Sequence, residues 1–205
     1  MFWFHSRGKM IIFRAIRFTF CLFLLVILSA KAEVYRNQDV GIDFPDSVGE
    51  LLRTPEVFDY EKLVPGLGES VAYNAEGVTS TIYIYRIGQN MSPDEAGVVR
   101  IQEHLIAAVG EIMKMQAAGQ YQNVALLDAG EFFWQDKLKP TRSLYAKLSY
   151  QQKGMDRLSY VHVLGYRGRV VKVRHTFGSD FSQQGEKLHL DLLRMIGRQL
   201  TEATQ

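Results

Sequence analysis

The chain has 205 residues, with 24 Lys and Arg against 22 Asp and Glu, 47% hydrophobic residues and a single Cys. That length holds one domain or at most two small ones. The composition excludes a disordered chain, a collagen-like repeat and a disulfide-stapled miniprotein.

Residues 1–32 differ from the rest. They carry Arg7, Lys9, Arg14, Arg17 and Lys31 and no acid, and Phe18 to Ala30 is an uncharged, mostly apolar run followed by Ala30-Lys31-Ala32. A basic start, a short apolar run and an A-x-A site are the parts of a secretory signal peptide. The run is shorter than the ~20 residues a spanning helix needs. Cleavage is expected after Ala32, with an uncleaved N-terminal anchor as the alternative, and residues 33–205 are expected to form a single globular α+β domain. The expected location is secreted or periplasmic, with the membrane met only through the leader. No small-residue lipobox precedes Cys21, so lipid attachment is not indicated.

Removing the leader takes five of the 24 basic residues and none of the 22 acids, so the formal charge turns from +2 to −3. A basic nucleic-acid surface is not supported. The lone Cys leaves too, and with it thiol nucleophiles, CxxC redox chemistry, c-type haem and Cys-ligated zinc.

Along the remaining chain, 40–44 alternates apolar and polar residues and stops at Pro45, as a short strand would. Residues 51–53 and 57–60 read as two extended pieces separated by Pro55, and Pro65-Gly66-Leu67-Gly68 as a loop. Residues 70–73 and 78–87, rich in β-branched and aromatic residues in the second run, form a β-hairpin about 74–77. Ser92-Pro93-Asp94-Glu95 is a helix start: the Ser92 hydroxyl accepts from the Glu95 N–H, Glu95 reaches back, and Pro93 loses no bond at N1. The stripe Val98, Ile101, Leu105, Val109, Ile112 and Met113 then predicts a helix over 93–118, stopped at Gly119. Residues 121–127 and 130–135 read as two further extended pieces, and 144–150, 158–166 and 169–177 as strands. A second amphipathic helix spans 182–202, with Leu188, Leu192, Leu193, Ile196 and Leu200 on one side.

The fold class is therefore α+β: a mainly antiparallel sheet of six to eight strands with two helices. A two-residue turn at Arg167-Gly168 pairs Tyr166 with Arg169, His162 with Val173 and Tyr160 with His175. Neither face of this hairpin is purely polar, which favours one helix on each side, an α/β/α sandwich.

Ile42-Asp43-Phe44-Pro45, Gly119-Gln120-Tyr121 and the run from Gly165 to Val171, in this element order, resemble the PsbP/Mog1-type α/β/α sandwich over residues 38–202. The Trp that follows the first strand's proline in that group is absent. The resemblance implies this fold and an accessory or binding role; fold alone does not set function.

His162 and His175 fall on one face as diagonal neighbours, roughly 7 Å apart, and two imidazoles could hold a transition metal with Tyr160 or a carboxylate. No HxH or HExxH spacing adds a third ligand, so two packed core histidines are the plainer reading. Gly68-Glu69-Ser70-Val71-Ala72 lacks the second Gly of a nucleophile elbow. Asp43, Asp46, Asp59 and Glu61 are not placed as an acid/base pair, and no phosphate loop occurs. Lys172 and Arg174 alternate on one strand, with Arg142 and Lys147 on a neighbouring one. Such cations suit a small anion, a lipid headgroup or an acidic partner. Phe132-Phe133-Trp134 reads as core packing, with a partner-facing aromatic patch as the alternative. The expectation is an exported, non-catalytic binding or accessory protein with no cofactor. Its partner would be an envelope protein or a small anionic ligand. A small exported hydrolase and a His-based metal-binding protein are the alternatives.

Overall fold

The computed structural model describes residues 34–86, 98–134 and 141–202. In chain order the elements are β1 (Tyr35–Arg36), β2 (Asp43–Phe44), β3 (Ser47–Val48), β4 (Leu51–Asp59), β5 (Glu69–Ala75), β6 (Val78–Arg86), α1 (Val98–Ala117), β7 (Gln122–Trp134), β8 (Thr141–Gln152), β9 (Met155–Tyr166), β10 (Arg169–Gly178) and α2 (Ser182–Glu202). β1 and β2 form a small ladder of their own. The other eight strands make one antiparallel sheet in the order β3-β4-β5-β6-β10-β9-β8-β7. The α+β class and the strand number expected from the sequence are those observed.

Tight turns set most of the register. Arg167 and Gly168 both take positive φ, 49° and 70°, as do Lys153 and Gly154 at 52° and 76°. Two successive positive-φ residues match the twist of the strands they join, and glycine takes the second position without a Cβ penalty. The first of these turns pairs Tyr166 with Arg169, His162 with Val173 and Tyr160 with His175, the register the sequence predicted.

Three elements differ from their expected form. β4 runs unbroken through Pro55, with its pairing to β5 shifted between Arg53 and Val57. Its other edge meets β3 only at Leu51 and Leu52, so the N–H that Pro55 lacks is wanted by neither neighbour. β7 is likewise one strand rather than two, carried past Asp128 by register shifts at 122–125 and 126–128. α1 is described from Val98, so the Ser92 cap lies outside the described residues.

The helices pack on opposite faces. Leu188, Leu192, Leu193, Ile196 and Leu200 of α2 join Val71, Tyr73, Ile82, Ile84, Leu164, Val171, Val173 and Phe177 in one buried cluster. Ala108 and Ile112 of α1, flanked by Ile101, Leu105 and Val109, join Ala146, Leu148, Val161, Val163 and Val170 in another. Met113, expected in the α1 stripe, is exposed, and Ala108 is buried instead. Along β9 and β10 successive side chains alternate between these clusters, as the pleat requires.

Candidate anion-binding cleft

α1 lies over β9, β8 and β7. The cross-strand rows on its side of the sheet change character as they leave it. Ala146 and Val161 continue into Arg174 and Thr81; Leu144 and Val163 into Lys172 and Tyr83; Leu148 and Ser159 into Thr176 and Thr79. The apolar half sits under the helix, and the polar half floors a cleft of about 540 Å³.

Arg174 is at the centre of that floor. One terminal nitrogen, Nη2, donates to the hydroxyls of Tyr150 at 3.3 Å and Tyr121 at 3.4 Å. These two rings stack with centroids 4.3 Å apart and are themselves buried, so they present oxygens rather than ring faces to the guanidinium. Among the described residues no carboxylate lies within ion-pairing distance of Arg174. Arg157, paired with Tyr150 across the β8–β9 turn, adds a second cation at the wall, and its buried Nε has no partner among the described residues. Among the described residues no Asp or Glu lines the cleft; Thr79, Thr81, Thr176, Asn74 and Gln152 supply neutral donors and acceptors. A half-buried cation without a counter-charge is costly unless an anion comes to it.

Lys172, one register step along, is tied to α1 instead. Its ammonium lies 3.7 Å from Glu111 and 4.5 Å from the centroid of Tyr83. Burial pushes its pKa down, opposed by the Glu111 charge and reinforced by Arg174. The other two cations read from the sequence stand elsewhere. Arg142 pairs with Glu131 at the β7 edge. Lys147, directly opposite Tyr160, belongs to the α2 face, where it bonds Glu186 of α2 at 3.0 Å.

The histidines also lie on the α2 face. His175 Nε2 donates to the Gly185 carbonyl oxygen at 2.9 Å, leaving Nδ1 to accept from the Ser80 hydroxyl at 2.7 Å. Both nitrogens of His175 are thus engaged by protein groups. The imidazole that meets His162 is His189 of α2, with the two Nε2 atoms 3.2 Å apart, one donating to the other. Tyr160 stacks on His189 at 4.2 Å and bonds Glu186. Burial pushes all three imidazoles down, His162 to about 3, His175 to about 4 and His189 to about 2. Among the described residues no three His, Cys, Asp or Glu side chains are placed to share a metal ion.

Arg157, Tyr121 and Tyr150 escape a sequence reading that looks for alternating cations on one strand. The Lys153-Gly154 turn could have supplied Arg157, because a two-residue turn there sets it opposite Tyr150.

Comparison with known proteins gives no matching family model and no matching curated protein. Among solved structures the chain resembles PsbP and Mog1. Cyanobacterial PsbP (CyanoP) from Synechocystis sp. PCC 6803 aligns with a TM-score of 0.49 at 13% identity, over 77% of this chain and 86% of its own. PA94, a protein of unknown function from Pseudomonas aeruginosa, gives 0.36 at 13% identity, over 80% and 94%. The Saccharomyces cerevisiae Ran-binding protein Mog1p gives 0.33 at 9% identity, over 84% and 92%.

Proposed function

We propose that this chain is an exported, non-catalytic binding module whose cleft over β10 and β6 takes a small anionic ligand. The observation that carries this reading is Arg174: a half-buried guanidinium on the floor of a cleft whose described lining contains a second arginine and no acid. Its two weak bonds to tyrosine oxygens, at 3.3 and 3.4 Å, leave most of its five N–H donors for a ligand. A planar fork of this kind suits carboxylate or phosphate oxygens.

The test is calorimetric titration of the purified full chain with small carboxylates and phosphates, repeated on Arg174→Gln. The reading expects saturable 1:1 binding of at least one such anion. It also expects affinity to fall 10- to 100-fold in the variant, because a charge-assisted hydrogen bond contributes about 1.5–3 kcal/mol. Binding that Arg174→Gln leaves unchanged would place the site elsewhere.

A further inference from the structure

Resting on that reading, we infer that the ligand is a polyhydroxylated organic anion, a sugar acid or sugar phosphate, held by its charge at Arg174 and by its hydroxyls along the threonine rows.

Size is the first argument. A cleft of about 540 Å³ is within the range of organic-ligand pockets and far larger than an inorganic anion needs. The second is how charge is distributed. Both cations, Arg174 and Arg157, sit on the β9–β10 side, whereas β6 contributes Thr79 and Thr81, and β5 the amide of Asn74. A ligand that fills the cleft from Arg174 towards β5 meets charge at one end and neutral donors and acceptors at the other. A hydroxyl can both donate and accept, and so can threonine, so a polyol satisfies such a lining without leaving a buried group unpaired. A flat aromatic anion would need ring faces to stack on. Tyr121 and Tyr150 are stacked on each other and buried, so they offer their oxygens instead, and the half-buried ring of Tyr83 already carries the Lys172 ammonium 4.5 Å from its centroid. An acidic protein segment would be met by cations at a rim, not by one on the floor.

The guanidinium fork fits a carboxylate and a phosphate equally, so both sources are tested. The full chain is titrated with glucuronate, glucose 6-phosphate, glucose and inorganic phosphate, and again as Thr81→Val, which removes a hydroxyl and keeps the shape. Thr81 is half-buried and its hydroxyl bonds the Tyr83 side chain, so an unchanged circular dichroism spectrum and Tm are required to verify folding. Glucuronate or glucose 6-phosphate is expected to bind at least 10-fold more tightly than both glucose and inorganic phosphate. Thr81→Val should weaken that sugar anion 3- to 30-fold more than it weakens inorganic phosphate. The stronger of the two sugar anions identifies the charged group.

If inorganic phosphate or a simple carboxylate binds as tightly as either sugar anion, or Thr81→Val weakens the sugar anion no more than inorganic phosphate, the polyol inference falls and the anion site stands. If no anion binds at all, both fall together.

Discussion

Arg174 is the residue on which the functional reading and the stability of the chain pull in opposite directions. Its guanidinium is half-buried on the floor of the cleft, and among the described residues only two phenol oxygens answer it. A buried charge with no partner loses several kcal/mol of hydration, part of which those bonds return. Replacing it by an unbranched apolar side chain of similar length removes the desolvation and keeps the packing. Arg174→Met is therefore expected to leave stability unchanged or raise it by about 1 kcal/mol, read as an unchanged or higher midpoint in urea, while abolishing anion binding. A fall of 2 kcal/mol or more would show that the Tyr121 and Tyr150 bonds hold the fold, and the case for a site kept at the expense of stability would fail.

A second residue-scale prediction concerns Gly185 on the inner side of α2. A Cβ there would stand 2.3 Å from the ring of Phe177, which is fully buried and has nowhere to turn. Alanine gains up to about 1 kcal/mol in helix propensity, but overpacking a closed core loses about 1–3 kcal/mol or more. The clash should win, and Gly185→Ala should lower the urea midpoint; an equal or higher midpoint would mean that α2 can lift from β10 freely.

At the scale of elements, α2 is held by apolar burial and by a polar seam in which His162, His175 and His189 stay neutral. Glu186 and Lys147 lie beside the seam. The Glu186 charge raises His175, and the Lys147 charge lowers His189. Desolvation outweighs both and sets the folded pKa values at about 3, 4 and 2, against 6.5 in the unfolded chain. Between those limits the unfolded state binds more protons, so stability is full above pH 6.5 and falls as the pH drops below it. Each histidine contributes about 1.4 kcal/mol per pH unit, and the three together about 4 kcal/mol per unit. Urea unfolding at pH 7.5, 6 and 5 should show the midpoint collapsing across the last two. His189→Phe keeps a ring against Tyr160 and should remove about a third of that slope. An identical slope in the variant would mean that the seam opens to water before the core does.

What was legible in the sequence followed local chemistry. Arg167-Gly168 fixed the β9–β10 register because a two-residue turn admits one alignment, and with it the sharing of a face by His162 and His175. The apolar stripe of α2 was readable because leucines three and four apart leave no other face to bury. What was hidden depended on distant segments. His189 faces His162 only because Gly185 lets α2 settle onto β10. Arg142 and Lys147 alternate on paper with the cations of β10, but register puts Lys147 on the opposite face and the β7 edge claims Arg142. β7 looked broken at Asp128-Ala129 because a bulge and a turn share residue types.

For the whole molecule the compartment decides which ligands are within reach. The uncharged run from Phe18 to Ala30 follows a basic, acid-free start and leads into Lys31-Ala32, and removal of residues 1–32 would turn the balance from +2 to −3. Without residues 1–32 the molecule would carry a formal charge of −3 and would repel polyanions within the ~10 Å over which exposed charges are felt at 0.1 M salt. A ligand with a single charged group would lose less on approach and gain the full contact at Arg174, so the proposed export and the proposed cleft chemistry would select for the same small anions. This holds only if the leader is removed. Intact-mass spectrometry of the protein expressed in a secreting host is expected to give a chain beginning at Glu33, recovered outside the cytoplasm. A mass that retains residues 1–32 would leave the balance at +2 and the chain tethered by its N-terminus. The charge argument for small anions over larger ones would then be lost.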